Sequence, residues 1–268
     1  MKIMTFNLKD DGLFIFSNWK KRLKGFVNLI INEKPDIIGT QEMTYKAKKA
    51  LEKLLLKNNL EYNFYGESRN RNNFIFDEYN SILISKKLKV LSSKTYSLSK
   101  TPLIPKTKFK NDTFPRIITY AETKDFYIYN THLSNKVNEN KILQLECITN
   151  LLRKNKPIII TGDFNLGVTK LKKFCEKNNL IDTTKTIGKT FTTKKEIYHL
   201  DHILITKNIK YENPIKHDFK YKNTYLSDHY PISVEIKKIS KWDFYFSSFL
   251  NMNINLTICS KVEATLAT

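Results

Sequence analysis

The chain has 268 residues, a length that fits one large α/β domain or two small ones. Hydrophobic residues make up 41% of it, enough for a core, but no run of about 18 apolar residues occurs, so no membrane-spanning helix is predicted. The net charge of +20 favours a polyanionic partner such as nucleic acid or anionic lipid. A general bias of the composition toward Lys and Asn, without functional meaning, explains the charge equally well.

Hydrophobic periodicity divides the chain into short strands and a few helices. Strands are predicted at 2–6, 36–40, 62–65, 81–84, 89–98, 116–122, 126–131, 158–161, 199–205, 211–216 and 232–237. Helices are predicted at 19–32, 44–58, 138–154 and 168–178, and the main loops at 10–17, 68–77, 101–113 and 181–198. Since the sequence contains neither a repeat nor a linker, residues 1–239 are predicted to form one domain, followed by an extension of unassigned role at 240–268.

The cysteines and the N-terminus bear on the cellular compartment. Cys147, Cys175 and Cys259 are too few and too scattered for a disulfide framework or a zinc site. Cys147 and Cys175 fall in predicted helices, where they would serve as small apolar residues. The first residues form a predicted strand rather than an apolar leader, so we expect a cytoplasmic protein.

The apolar run 158–161 ends in Gly-Asp-Phe-Asn and has the length of a buried strand. Asp163 and Asn165 stand two positions apart at its end, so their side chains point to the same side. A carboxylate there can take a proton from water, and a neutral amide can hold phosphate oxygens without repelling them. An Asx-type turn after a strand would explain the same residues, so the stretch alone leaves both interpretations open.

Polar side chains recur at the ends of the predicted strands, where a packed core has no need of them. Sheet enzymes collect their functional groups along such an edge. These residues are Asn7, Glu42, Glu78, Asn80, His132, Asp163, Asn165, Asp201, His202, Asp228 and His229. Each has a structural explanation by itself, such as a helix-capping acid at Glu42 or a core histidine at His132. Together they predict a functional site.

In sequence order these motifs resemble the endonuclease/exonuclease/phosphatase family, which includes deoxyribonuclease I. The resemblance covers roughly residues 1–237 and has the specificity of a full ordered set. Its motifs are Thr-Phe-Asn at Asn7, Gln41-Glu42, Glu78-Tyr79-Asn80, Pro115-Arg116, Thr131-His132-Leu133, Gly162-Asp163-Phe164-Asn165, Leu200-Asp201-His202-Ile203 and Ser227-Asp228-His229-Tyr230-Pro231. Segment 98–102, together with the Pro-Arg pair, resembles a small stand-alone bacterial branch of the family.

The resemblance implies an α/β (α+β) fold, namely a four-layer α/β/β/α sandwich of two mixed β-sheets with outer helices. It also implies in-line attack of water on a phosphate ester, assisted by Mg²⁺ or Mn²⁺, which prefer oxygen ligands. Glu42 would be the principal metal ligand, with Asn7 and Asp228 beside the metal. Asp163 would orient and deprotonate the water, and Asn165 would donate to a phosphate oxygen.

The two histidines receive partners by the same resemblance. Asp201 would hold His229 and favour its charged form, which would stabilise the transition state. His132 would pair with Glu78 and is a candidate general acid for the leaving oxygen. His202 would have only a structural role. The implied substrate contacts are Arg116 and Asn80.

Three functional hypotheses follow. The first is hydrolysis of a phosphodiester in nucleic acid, which the positive charge and the basic segment 68–73 favour. The second is a phosphatase or phosphodiesterase acting on a small phosphate ester or a lipid headgroup, because a fold does not fix the leaving group. The third, a non-catalytic polyanion-binding protein, predicts loss of the site residues. Lys9 stands where abasic-site endonucleases of the family carry an acidic residue, which weakens the match to that branch. We expect a monomer.

Overall fold

The computed structural model of the protein describes residues 1–9, 18–71, 77–192 and 198–237. Its strands are β1 (Lys2–Asn7), β2 (Ile37–Thr44), β3 (Tyr62–Tyr65), β4 (Glu78–Ser85), β5 (Val90–Ser97), β6 (Ile117–Thr123), β7 (Tyr127–His132), β8 (Ile158–Asp163), β9 (Leu180–Asp182), β10 (Asp201–Thr206), β11 (Tyr211–Lys216), β12 (Lys220–Tyr221), β13 (Thr224–Tyr225) and β14 (Ile232–Ile236). Its helices are α1 (Trp19–Glu33), α2 (Tyr45–Lys57), α3 (Asn138–Leu151) and α4 (Val168–Lys177). None of the helices in these segments is long and apolar enough to cross a membrane.

Two six-stranded mixed sheets form the centre of the molecule. The first has the strand order β11-β14-β1-β2-β4-β3 and the second the order β5-β6-β7-β8-β10-β9. Each sheet contains one parallel pair, β1 with β2 and β7 with β8, while the other neighbours are antiparallel. Because parallel neighbours end at the same edge, each pair delivers two strand ends to one place.

Three apolar clusters separate the layers. Ile3 of the first sheet and Ile159 of the second belong to the cluster between the sheets. Phe174 of α4 packs on the outer face of the second sheet. Phe26 of α1 and Leu51 of α2 pack on the outer face of the first sheet. The layers are therefore α/β/β/α, which confirms the predicted sandwich.

The observed elements differ from the predicted ones mainly in the shortest strands. β9, β12 and β13 have two or three residues each, too few for a periodic pattern to indicate them. β2 continues past its predicted end at residue 40 to Thr44. Cys147 and Cys175 are buried in the core on α3 and α4, as predicted. Cys259, loop 10–17 and segment 240–268 lie outside the described residues, so the domain boundary at 239 stays a prediction.

A buried amide joins the two sheets. Asn130 of β7 donates through Nδ2 to the carbonyls of Thr40 and Ser81 in the other sheet, at 2.8 and 3.0 Å. Its Oδ1 accepts from Gln41 Nε2 at 2.7 Å and from Thr161 Oγ1 at 3.1 Å. Buried carbonyls without a partner are costly, so this amide stabilises one relative placement of the sheets.

Gly39 lies at this junction and leaves no room for a side chain. A Cβ there would clash with Thr161 Oγ1 and lie 2.6 Å from Asn130 Oδ1. We expect Gly39→Ala to lower the free energy of unfolding by about 1–3 kcal/mol, the usual cost of overpacking, as measured by urea denaturation. Gly167→Ala is the matched control, because a Cβ at Gly167 meets nothing within 4 Å. Wild-type stability in Gly39→Ala would contradict the close approach.

Candidate active site

The parallel pairs end at one shared edge of the sandwich. β1 and β2 bring their C-terminal ends from the first sheet, and β7 and β8 from the second. β10 starts at this edge, because Asp201 pairs with Asp163 in the antiparallel register. The polar side chains at this edge are Asn7, Glu42, His132, Asp163, Asp201, Asp228 and His229.

Asp163 lies at the centre of these side chains and is 2% exposed. Asn7 Nδ2 donates to Asp163 Oδ2 at 3.1 Å and to Glu42 Oε1 at 3.0 Å, so one amide connects both carboxylates across the sheets. The backbone N–H of Asn165 donates to Asp163 Oδ1 at 2.9 Å. Burial raises the pKa of Asp163 to about 6, since desolvation outweighs the attraction of the nearby His229.

His229 is held by a carboxylate, as predicted. Its Nδ1 lies 2.8 Å from Asp201 Oδ2, and its Nε2 lies 3.7 Å from Asp163 Oδ2. Burial by itself would lower the pKa of His229, but the Asp201 and Asp163 carboxylates outweigh it and raise the pKa to about 10. The ring is therefore an imidazolium at neutral pH. In this form the ring serves as a cation and offers no lone pair.

His132 lies between two carboxylates. Its Nε2 is 3.5 Å from Asp163 Oδ2, and its Nδ1 is 4.0 Å from Glu42 Oε1. Burial lowers the pKa of His132 well below its ordinary value, and nearby cations lower it further. These cations are Arg116, His229 and Arg69. His132 is therefore neutral at neutral pH, which does not support the predicted role of a general acid.

The partner predicted for His132 was wrong. Glu78 Oε2 forms an ion pair with Arg69 Nη1 at 2.8 Å. Arg69 also stacks on the ring of Phe114, at 4.1 Å from the guanidinium carbon to the ring centroid. Nothing in the sequence distinguishes Arg69 from the other basic residues of its polar segment, so only the fold identifies it as part of the site.

Arg116 is half-buried beside the same acids. Burial lowers its pKa, while the carboxylates of Glu78, Asp163 and Glu42 oppose that shift. Its Nη2 donates to Asn135 Oδ1 at 3.4 Å. The guanidinium thus lies within the electrostatic field of the site, in keeping with its predicted contact to phosphate.

Glu42 is directed into the site by a β-bulge. The pairing of β2 with β4 shifts register between Thr40 and Met43, and Glu42 has a φ of 52°. A left-handed φ is costly for a residue other than glycine and often marks a functional position. Buried His132 Nδ1, beside Glu42, has no hydrogen-bond partner among the described residues. Carboxylate oxygens next to an unpaired nitrogen fit Mg²⁺ or Mn²⁺ with bound water, so Glu42 suits the predicted metal. Asn7 directs its Nδ2 toward Glu42, so its amide would have to flip to offer an oxygen there.

Asp228 reaches the site next to a lysine. Its Oδ2 lies 3.0 Å from Lys9 Nζ, and the backbone N–H of Lys9 donates to Asn7 Oδ1 at 2.9 Å. Lys9 thus connects two of the predicted metal ligands. In the sequence, Lys9 was noticeable only for its position two residues after Asn7. That position did not indicate its ion pair with Asp228.

The other two predicted asparagines, Asn80 and Asn165, differ in their surroundings. Asn80 is 5% exposed and donates through Nδ2 to the carbonyl of Ile117 at 2.9 Å, which ties β4 to β6 across the sheets. This contact is structural, and the substrate contact of Asn80 stays a prediction. Asn165 has a φ of 50° and donates through Nδ2 to the carbonyl of Leu133 at 3.1 Å, at the edge beside Asp163.

Comparisons with known proteins bear on the family and the fold. Residues 4–229 match the model of the Endonuclease/Exonuclease/phosphatase family. An endonuclease/exonuclease/phosphatase from Bacteroides vulgatus is similar with a TM-score of 0.77 at 23% identity, over 88% of this chain and 98% of that one. A mannosyl-6-phosphatase from Bacteroides thetaiotaomicron is similar with a TM-score of 0.75 at 22% identity, over 89% and 100%. TDP2 from D. rerio, complexed with a single-strand DNA product, is similar with a TM-score of 0.66 at 17% identity, over 89% and 99%. The search of curated proteins gave no match.

The His229–Asp201 pair predicts how stability depends on pH in the metal-free protein. An unfolded histidine has a pKa of about 6.5, whereas that of folded His229 is about 10. The folded state therefore binds this proton more tightly, so the stabilisation is complete below about pH 6.5 and is lost as the pH rises to about 10. We expect the free energy of unfolding, measured with urea and EDTA, to fall over this range. Asp201→Asn should flatten the fall.

The matched control for this experiment is Asp125→Asn, at the exposed turn between β6 and β7, at the opposite end of β7 from His132. It removes the same charge without touching His229. Equal slopes in wild type and Asp201→Asn would mean that the carboxylate does not set the proton affinity of His229.

Proposed function

The chain belongs to the endonuclease/exonuclease/phosphatase family, and within that family we propose that it is a divalent-metal-dependent phosphodiesterase acting on nucleic acid. The observation that carries this proposal is the buried Asp163 carboxylate, held by Asn7 and flanked by the charged His229–Asp201 pair. A buried acid next to an imidazolium is an arrangement that a reaction requires and a core does not.

Asp163 has the properties of a base for the attacking water. With a pKa of about 6 it is a carboxylate at neutral pH, yet a better proton acceptor than an exposed aspartate. Asn7 and the backbone of Asn165 fix its two oxygens. A neutral His132 adds to this basicity, because a second cation beside Asp163 would lower its pKa.

The remaining residues act on the charge that develops as water attacks phosphorus. His229 supplies a fixed positive charge, and the Asn165 amide supplies a neutral donor. Arg116 would hold a non-bridging oxygen of the phosphate. Glu42, Asn7 and Asp228 would hold Mg²⁺ or Mn²⁺, which supplies Lewis-acid polarisation of the phosphate when bound.

Nucleic acid is the substrate class that the charges favour. Lys9, Arg69 and Arg116 lie at the site edge, and the chain as a whole carries a net charge of +20. Such a surface attracts a polyanion along its backbone. The likeness to a TDP2 complex with single-strand DNA is compatible with this substrate. The second candidate, a small phosphate ester, is supported by the likeness to a mannosyl-6-phosphatase.

The first test is cleavage of a supercoiled plasmid and of a single-stranded oligonucleotide in Mg²⁺ and in Mn²⁺. We expect cleavage that requires metal and falls by at least about 10²-fold in Asp163→Ala, the usual contribution of a positioned base. Asp125→Ala, the same substitution at an exposed turn, should retain wild-type activity. Cleavage that persists in Asp163→Ala would contradict the assignment of the base.

Other outcomes of this test point to other functions. No cleavage, combined with release of phosphate from a panel that includes mannose 6-phosphate, would support the small-ester function. Binding of the oligonucleotide without hydrolysis of any ester would support a non-catalytic polyanion-binding protein.

A second prediction concerns the imidazolium. Asp201→Asn keeps a hydrogen-bond acceptor near His229 but removes the negative charge that holds its proton. We expect kcat to fall by about 10²- to 10⁴-fold at neutral pH, with little change in KM. The measurement is steady-state hydrolysis of bis(4-nitrophenyl) phosphate, and unchanged turnover would exclude a role for the pair in the reaction.

A further inference from the structure

We propose that His202 is a positioning residue, which acts from behind the sheet on the turn that carries Asp163 and Asn165. This inference rests on the proposed function of that turn. His202 neighbours Asp201 on β10, and their side chains point to opposite faces of the strand. Asp201 pairs with Asp163 in register, and His202 pairs with Gly162. His202 is fully buried on the far face, so it acts through other residues.

Both ring nitrogens of His202 face groups that only accept hydrogen bonds. Nδ1 lies 2.8 Å from Asp182 Oδ2, and Nε2 lies 2.8 Å from the carbonyl oxygen of Leu166. A carboxylate and a carbonyl have no proton to donate, so both nitrogens must carry one. His202 is therefore an imidazolium that bridges β9 and the segment after β8.

The anchor of this bridge is itself rigid. Asp182 Oδ1 accepts from the backbone N–H of Thr184 at 3.0 Å and from its hydroxyl at 2.8 Å. The His199 ring stacks on His202 with centroids 4.5 Å apart and planes 18° apart. The carboxylate and the stacked ring leave His202 a single orientation.

The other end of the bridge is the active-site turn. Leu166 directly follows Asn165, whose backbone is in the left-handed region and whose N–H holds Asp163. Phe164, within the same turn, meets the His202 ring edge-on at 5.7 Å between centroids. The His202 ring therefore contacts the residues on both sides of Asn165. The Leu166 carbonyl belongs to the Leu166–Gly167 peptide, one peptide beyond Asn165. Fixing it anchors the end of the turn, which holds Asn165 and the amide that would contact phosphate in place.

Two substitutions separate positioning from simple support of the core. In His202→Gln the amide nitrogen lies at the ε position and can still donate to Leu166, whereas the contact with Asp182 is lost. In His202→Asn the nitrogen lies at the δ position and can still donate to Asp182, whereas the contact with Leu166 is lost. We expect kcat for bis(4-nitrophenyl) phosphate to fall at least tenfold in His202→Asn and less than threefold in His202→Gln, with KM within twofold in both.

A purely structural role of His202 predicts that kcat falls equally in the two variants, or falls further in His202→Gln than in His202→Asn. Both variants remove the cation, but only His202→Gln also leaves the buried Asp182 carboxylate without this hydrogen-bond donor, so it should be the less stable variant by thermal unfolding. Equal kcat values in the two variants, or a larger loss in His202→Gln, would overturn the proposal. Asp182→Asn is a second test of the proposal, which can be made even if His202→Asn does not fold. It leaves the Leu166 contact in place, so Tm should fall while kcat stays within threefold, and a tenfold loss of kcat would count against the proposal.

A readout without substrate separates this inference from the proposed function. The side-chain NH₂ of Asn165, bonded to the Leu133 carbonyl, gives its own NMR signals. We expect these signals to shift in His202→Asn and to stay in place in His202→Gln and Asp182→Asn. Unmoved signals in His202→Asn would overturn the positioning role. Shifted signals, with no activity of the wild type on any phosphate ester, would sustain the positioning role and overturn the proposed function instead.

Discussion

Burial of the Asp163 carboxylate is the constraint on which the rest of this site depends. Taking an ionised carboxylate out of water costs several kcal/mol unless charges and donors replace the lost hydration. Here the replacements are Asn7 from the first sheet, the backbone of Asn165 and the cation of His229. Because they come from separate parts of the chain, the carboxylate is stabilised only when both sheets are assembled. The residual cost appears as a pKa of about 6, which is also the property on which the proposed role of Asp163 as a base rests.

The interior between the sheets explains why this edge is held so closely. Asn130 satisfies the carbonyl of Thr40, where the register of β2 begins to shift, and accepts from Gln41 next to Glu42. The bulge that directs Glu42 into the site is thus supported by a buried amide of the opposite sheet. A strained backbone at Glu42 persists because the surrounding contacts determine it, as is usual at functional positions.

Sequence alone was sufficient for the features that depend on local pattern. The strand ending at Asn7 and the run ending in Gly-Asp-Phe-Asn follow from apolar periodicity, while the fold and the Asp201–His229 pair followed from the family resemblance. The partner of Glu78 could not be predicted, because Arg69 is brought to it by folding and by no spacing in the chain. The neutral state of His132 could not be predicted either, because it depends on burial and on cations from distant segments.

Because side chains alternate along β10, the consecutive residues Asp201 and His202 lie on opposite faces of the sheet and have different proposed roles. On one face the Asp201 carboxylate pairs with the His229 imidazolium. On the other face the His202 imidazolium pairs with the Asp182 carboxylate. Two buried cations on opposite faces would repel each other, but each is neutralised by its own carboxylate at 2.8 Å. One face can therefore carry the reactive charge while the other fixes the backbone of the same turn. An apolar residue in place of His202 would still fill the core, but it could not hold the Leu166 carbonyl, so the polar side chain is better explained by the geometry of the active site than by packing.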